Sequence, residues 1–146
     1  MNMIFHHTYP VQLRFSDVDQ LGHVNNSVYF SLYDLAKTAY LSAALGGEMN
    51  YGGPASLVIA NVNADFFAPV FFTDQIAVET ATVHLGRKSF TLLQRAVCAV
   101  TGEVKCQCRT VMVAYDAAAQ QSFALPEAWR EALARFEGRS VEELEE

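Results

Sequence analysis

The sequence predicts an α+β fold in which an antiparallel sheet of about five strands wraps around one long central helix, followed by a short C-terminal helix. Residues 27–45 carry apolar side chains at helical spacing, whereas residues 57–115 form segments of mostly alternating apolar and polar residues separated by short turns. At 146 residues the chain is expected to be one domain, 1–146, with its core at about 8–117.

The first strand is predicted at residues 8–15, where Val11, Leu13 and Phe15 alternate with polar residues. The stretch after it, 17–26, turns at a glycine and is rich in groups that can do chemistry: Asp17, Asp19, His23, Asn25 and Asn26. Asparagine is a favoured N-cap residue, so Asn25 or Asn26 is expected to start the helix. A carboxylate beside a donor-rich helix end suits a reaction in which negative charge grows on a carbonyl oxygen.

The helix at 27–45 is expected to be well buried and to stop at Gly46-Gly47. Its predicted apolar stripe consists of Val28, Leu32, Leu35, Ala36, Ala39 and Ala43, widened by Tyr29, Tyr33 and Tyr40. A loop is predicted at 48–54.

Four strands follow in the prediction, at 57–67, 75–85, 89–100 and 104–115. In the first of them, one face is assigned to Val58, Ala60, Val62, Ala64 and Phe66, and the other to Asn61, Asn63 and Asp65. Short turns join the last three strands into a meander. The C-terminal helix is expected at about 126–137, and residues 140–146 are expected to be an acidic, solvated tail.

Such a sheet would leave apolar surface on its other face or at its edge, and two sheets joined edge to edge would hide the edge strands. The sequence therefore favours a homodimer, and a dimer of dimers is the expected larger assembly. The net charge of −6 argues against nucleic-acid binding, and no run approaches the ~20 apolar residues of a membrane span. No signal peptide is recognisable, and the three cysteines form no pair with the spacing of a disulfide or zinc motif. A reduced, cytoplasmic setting is therefore expected, and no metal site is expected.

Three segments resemble the hotdog-fold acyl-CoA thioesterases of the 4-hydroxybenzoyl-CoA thioesterase type, across about residues 9–116. The first and most specific contains Asp17, Asp19, Gly22-His23-Val24-Asn25-Asn26 and Tyr29. The second is Asp65-Phe66-Phe67-Ala68-Pro69-Val70 with Asp74, and the third is Gly86-Arg87-Lys88-Ser89-Phe90. The Gly-His-Val-Asn-Asn form is similar to the long-chain acyl-CoA branch and to plant acyl-carrier-protein thioesterases. The family often has Glu and Arg where this chain has Asp34 and Lys37, which leaves the subfamily open.

The resemblance implies hydrolysis of an acyl-CoA or acyl-carrier-protein thioester, with no cofactor apart from the coenzyme A of the substrate. It implies that Asp19 is the catalytic carboxylate, either as nucleophile or as general base. The backbone N–H of Asn26 would face the thioester oxygen, and His23 and Asn25 would orient water or the carboxylate.

Substrate binding is assigned to five further residues: Tyr29, Asn63, Arg87, Lys88 and Ser89. Tyr29, with Leu32 and Tyr33, is expected to lie along the acyl chain, Asn63 to come from a partner's strand, and Arg87 and Lys88 to bind the phosphates.

Simpler interpretations and other functions stay open at this point. Asp19 could be a turn residue, His23 a satisfied polar residue, and Arg87 and Lys88 solvated charges. A hydratase or dehydratase on the same fold is a second candidate, although His23 is not followed by the residues typical of those enzymes. A third is a non-catalytic acyl-thioester binding module.

Overall fold

The structure, a computed structural model, describes residues 3–46 and 55–146. Its helices and strands are β1 (His7–Val11), α1 (Asn26–Leu45), β2 (Ala55–Phe66), β3 (Ile76–Leu85), β4 (Ser89–Cys98), β5 (Val104–Asp116), β6 (Gln121–Ser122), α2 (Glu127–Glu137) and α3 (Val141–Glu145). The sheet has the order β1-β3-β4-β5-β2 with every pairing antiparallel, and β6 adds to β5. The predicted α+β architecture is confirmed. The loop predicted at 48–54 lies outside the described residues.

Helix α1 packs against the inner face of the sheet through two apolar clusters, one towards each end of the helix. The N-terminal half, with Tyr29 and Tyr33, packs on Val70 and Val78. The C-terminal half, with Leu41 and Leu45, packs on residues of the β3–β4 hairpin and of α2: Leu85, Phe90, Leu92, Trp129 and Leu133. The two ends of the helix therefore contact different parts of the chain.

The face that α1 buries differs from the predicted stripe. Leu35 was expected in the stripe but is 55% exposed, and Val28 is only half-buried. The buried face instead centres on Tyr29, Tyr33, Ala36 and Tyr40. The prediction gave precedence to aliphatic residues, whereas the concave sheet takes up the larger tyrosine rings.

Strand β2 contains a bulge that the alternation did not reveal. Its register with β5 shifts between Ile59 and Asn61, so Ala60 has no partner across the ladder. Ile59 pairs with Met112, a residue of the core, whereas Val58 pairs with Val113 on the opposite face. The assignment of Val58 to the same face as Val62 and Phe66 was therefore wrong.

Two expectations about the ends of elements were also wrong. β1 stops at Val11, and residues Phe15–Asp17 form a single 3₁₀ turn in which Phe15 is exposed. Residues 140–146 are not a solvated tail, because α3 forms there and its Leu144 is fully buried in the core. Ser140 and Glu143 make a capping box that starts this helix.

Cys98, Cys106 and Cys108 are buried and free of disulfides. Of the helices in the described part of the chain, none is long and apolar enough to cross a membrane.

Candidate active site

A tight loop leads from the 3₁₀ turn into α1 and holds the residues of the first motif. Val18 and Val24 form an antiparallel bridge across its neck. Inside it, the Asp19 N–H donates to the His23 carbonyl at 3.2 Å and the Gly22 N–H donates to the Asp19 carbonyl at 3.0 Å. Gly22 has φ +89°, a conformation that side chains oppose, which explains a glycine there. The loop thereby brings Asp19 close to the start of the helix.

The carboxylate of Asp19 is held by two donors. Its Oδ1 accepts from the Leu21 N–H at 2.9 Å, and its Oδ2 accepts from the Asn25 side-chain amide at 3.2 Å. Asn25 is the N-cap of α1, because its Oδ1 accepts from the Ser27 N–H at 3.0 Å. One asparagine side chain thus caps the helix and orients the carboxylate, which realises the expected N-cap at Asn25 or Asn26.

Asp17, two residues earlier, stabilises the loop through hydrogen bonds. It is 2% exposed, and its carboxylate accepts from the Arg14 N–H at 2.8 Å and from the Arg14 guanidinium at 2.9 Å. Its carbonyl accepts from the Asn25 N–H at 3.0 Å. Burial acts to raise the pKa of Asp17, but the hydrogen bonds and charge of Arg14 outweigh it and hold the pKa below its ordinary value.

A cavity of about 300 Å³ lies beside the first turn of α1, opposite the end of β2. It is lined by His23, Val24, Asn26, Tyr29, Phe66, Phe67, Ala68 and Pro69. The Tyr29 ring meets the Phe66 ring edge-on at 5.3 Å, and burial, followed by the influence of Cys106 and Asp74, raises the pKa of Tyr29 to about 12. Tyr29 is therefore a neutral wall residue at ordinary pH.

Sequence reasoning did not assign Phe66 and Phe67 to this site. The motif at 65–70 indicated a role for the segment but not which side chains point towards α1. That direction depends on which face of β2 receives α1 and on the path of the chain after β2 ends at Phe66, and the alternation pattern shows neither.

Comparison with known proteins decides the family. A family model described as the thioesterase-like superfamily matches residues 13–133. The chain belongs to this superfamily. No match was found among the curated proteins compared with it.

Solved structures agree with this assignment. The chain is similar to a thioesterase of Thermus thermophilus crystallised with coenzyme A and zinc, with 32% identity, 93% of this chain and 97% of that chain aligned, and a TM-score of 0.82. A protein of Pseudomonas aeruginosa is 28% identical over 90% of this chain and 92% of its own, with a TM-score of 0.81. A 1,4-dihydroxy-2-naphthoyl-CoA thioesterase of Synechocystis shares the fold at 20% identity, with 88% of this chain and 95% of that chain aligned and a TM-score of 0.77. The chain therefore has the hotdog fold and is a thioester hydrolase.

Within one chain of this thioesterase, the predicted substrate-binding residues do not come together. The hairpin with Arg87, Lys88 and Ser89 lies beside Leu85 and Phe90, which pack on the C-terminal half of α1. Asp19 lies beside the other end, and a helix of 20 residues is about 30 Å long. A single chain therefore separates the carboxylate from the cationic hairpin by roughly the length of the helix.

Asn63 is also apart from the cavity in one chain of this thioesterase. It pairs with Arg109, whereas its neighbours Val62 and Ala64 pair with Thr110 and Cys108, which are buried beneath the helix. Because side chains alternate along a strand, Asn63 points from the outer face of the sheet.

In residues 3–46 and 55–146 of this thioesterase, no three His, Cys, Asp or Glu side chains are grouped as metal ligands would be. The expectation of a site without a metal stays a prediction.

Proposed function

We propose that this thioesterase hydrolyses acyl-CoA thioesters, with Asp19 as the catalytic carboxylate. The observation that carries the proposal is the bond from the Asn25 amide to Asp19 Oδ2, since Asn25 also caps α1. This bond ties a carboxylate to the end of a helix whose first N–H groups have no intrahelical acceptors. A carboxylate and an anion-stabilising helix end are the two groups that thioester hydrolysis needs.

The proposed reaction uses these two groups. The thioester carbonyl oxygen approaches the Asn26 N–H, where the helix dipole and the backbone donor stabilise the developing negative charge. Asp19 either attacks the carbonyl carbon or takes a proton from the attacking water. Collapse of the tetrahedral intermediate expels the thiolate of coenzyme A, which is a good leaving group. If Asp19 is the nucleophile, water then hydrolyses the mixed anhydride, which releases the free acid and restores the carboxylate. Removing one such oxyanion donor costs about 3–4 kcal/mol of activation free energy in other enzymes.

The aromatic cavity supports an acyl group as the part of the substrate that enters. Tyr29, Phe66 and Phe67 surround an apolar space next to Asn26, and His23 contributes a polar edge. A coenzyme A ester is favoured over a carrier-protein ester because the Thermus thermophilus relative was crystallised with coenzyme A. The buried, free thiols are consistent with the cytoplasm as the proposed compartment.

A homodimer joined through β2 is part of the proposal. β2 lies at the end of the sheet order and exposes apolar side chains along its length: Val58, Ile59, Val62 and Phe66. A second copy pairing with this edge would cover them and would bring its own Asn63 and Arg87–Ser89 hairpin to the first copy. The exposed Leu35 on α1 is a candidate contact for a dimer of dimers.

The experiment is hydrolysis of a panel of acyl-CoAs by the wild type and by Asp19→Asn. Asparagine preserves the shape of the side chain and removes its charge. We expect a loss of about 10²–10⁴-fold in kcat, because the charged group does the chemistry. The melting temperature should fall only slightly, because asparagine can keep one of the two accepted hydrogen bonds at this partly exposed position.

Asp116→Asn is the matched control. Asp116 Oδ1 accepts from the Ala118 N–H at 3.0 Å, which copies the bond between Asp19 and Leu21, but it lies at the end of β5. This control should retain full activity. Equal hydrolysis by wild type and Asp19→Asn would refute the role of Asp19 and direct attention to His23.

A further inference from the structure

The tip of the β3–β4 hairpin is held by its backbone from three sides. The carbonyl of Gly86 accepts from the Arg130 guanidinium at 2.7 Å, the carbonyl of Arg87 from the Leu125 N–H at 3.0 Å, and the carbonyl of Lys88 from the Ala114 N–H at 3.0 Å. Two of these donors are backbone groups. The third donor is the Arg130 side chain on α2, so the hydrogen bond to Gly86 is the one that a substitution can remove.

Arg130 is itself held by the C-terminal helix. Its side chain is buried, and its second terminal nitrogen bonds the carboxylate of Glu145 in α3. α3 is fixed in turn by Leu144, which is fully buried in the core. A guanidinium can bond two partners at once in a fixed fork, whereas a lysine ammonium lacks that geometry.

The anchored backbone carries two exposed cationic side chains, Arg87 and Lys88. Beside them lies a cavity of about 510 Å³ whose polar lining includes His84, Arg87, Arg130 and Glu145. Binding of an anion by flexible surface cations is weakened by the entropy of ordering them, and a rigid backbone lowers that cost.

We propose that Arg130, held by Glu145, is a positioning residue that orients the Gly86–Arg87–Lys88 tip for binding the phosphate groups of the thioester substrate. The proposal rests on the proposed function, since it takes the substrate to be a coenzyme A ester. It assigns Arg130 no contact with the reacting atoms, which lie at another site.

The test compares wild type, Arg130→Lys and Glu145→Gln on one acyl group carried by coenzyme A and by pantetheine, which lacks the nucleotide phosphates. We expect KM for the coenzyme A ester to rise about tenfold in both variants, the equivalent of one lost charge-assisted contact, with kcat unchanged. KM for the pantetheine ester should stay constant. Arg135→Gln, an exposed arginine on the same helix, is the control and should behave as wild type.

A rise in KM on both esters, or a fall in kcat on both, would show a merely structural role and overturn the proposal. Glu145→Gln keeps the test decisive if Arg130→Lys does not fold, since Glu145 is partly exposed. Calorimetric titration with free coenzyme A and pantetheine separates this proposal from the proposed function. If the wild type hydrolyses nothing, the function fails. The positioning role then stands only if the wild type binds coenzyme A more tightly than pantetheine and both variants lose that preference.

Discussion

At the scale of single residues, two carboxylates two positions apart have different environments. Asp17 is buried, and both of its carboxylate oxygens accept hydrogen bonds from Arg14. Asp19 is half-exposed and accepts hydrogen bonds from a backbone N–H and from the Asn25 amide. A carboxylate paired with a guanidinium is a poor base, so Asp17 stabilises the loop. The partial exposure of Asp19 leaves it accessible to a substrate.

Asp17→Asn should lower the free energy of unfolding by about 1–3 kcal/mol at pH 7, because charged hydrogen bonds in a buried site are lost. The folded-state pKa of Asp17 is lowered, so its contribution is complete above the pKa of the unfolded chain, near 3.9. The contribution disappears as pH falls through the folded-state pKa. Urea unfolding of both proteins at pH 7 and pH 3 measures this difference, which should shrink at pH 3.

The control for this measurement is Glu131→Gln, an exposed carboxylate on α2, which should change the unfolding free energy by under about 0.5 kcal/mol. A difference between wild type and Asp17→Asn that persists undiminished at pH 3 would contradict the assigned role of the charge.

At the scale of elements, the end of α2 is clamped to α1 and β3 by a buried polar cluster. Glu137, the last residue of α2, accepts from the Tyr40 hydroxyl and from the Thr82 N–H, the latter at 3.1 Å. The His7 ring from β1 packs edge-on against Tyr40 at 5.7 Å. Burial raises the pKa of Glu137 despite its hydrogen bonds, and burial lowers the pKa of His7.

The free energy of unfolding of Glu137→Gln, relative to that of the wild type, should increase as pH rises. A carboxyl group whose folded-state pKa is raised contributes stability below its unfolded pKa, near 4.3, and that contribution is lost as pH rises through the folded-state pKa. Glutamine has no such dependence. Unfolding free energies of both proteins from pH 4 to pH 8 test this. A difference that does not change with pH would refute the raised pKa.

At the scale of the whole molecule, the proposed site is divided between the two ends of α1. The Asp19 loop lies at one end and the Arg87–Ser89 hairpin near the other, so within one chain they are separated by roughly the length of the helix. Among the described strands, β2 has no partner on its outer edge, and this is the edge through which the proposed dimer would complete the site.

Val62→Lys should produce a monomer with little activity. Val62 lies in the middle of β2 and is 41% exposed, and a lysine on an edge strand opposes pairing with another strand. Light scattering after size exclusion gives the oligomeric state, and hydrolysis of an acyl-CoA gives the activity.

Val100→Lys is the matched control, since Val100 is 74% exposed in the β4–β5 turn, away from the edge. It should remain a dimer with wild-type activity. A Val62→Lys protein that stays dimeric, or a fully active monomeric wild type, would contradict the dimer through β2.

The residue patterns predicted the kinds of the main elements, their order and an asparagine N-cap for α1. Helical spacing and strand alternation depend on neighbouring residues alone, and the N-cap role of an asparagine is equally local. The strand limits of β3 and β5 came within one residue for the same reason.

The tertiary structure decided what depends on distant contacts. Whether Leu35 or Tyr33 faces the sheet depends on the shape of the concave surface that receives them. From the sequence alone, Glu145 is expected to be a solvated charge. In the structure, the burial of Leu144 in the core places Glu145 beside Arg130. The separation of Asp19 from Arg87 is set by how α1 lies across the sheet, because no local pattern encodes the distance between segments that are far apart in the chain.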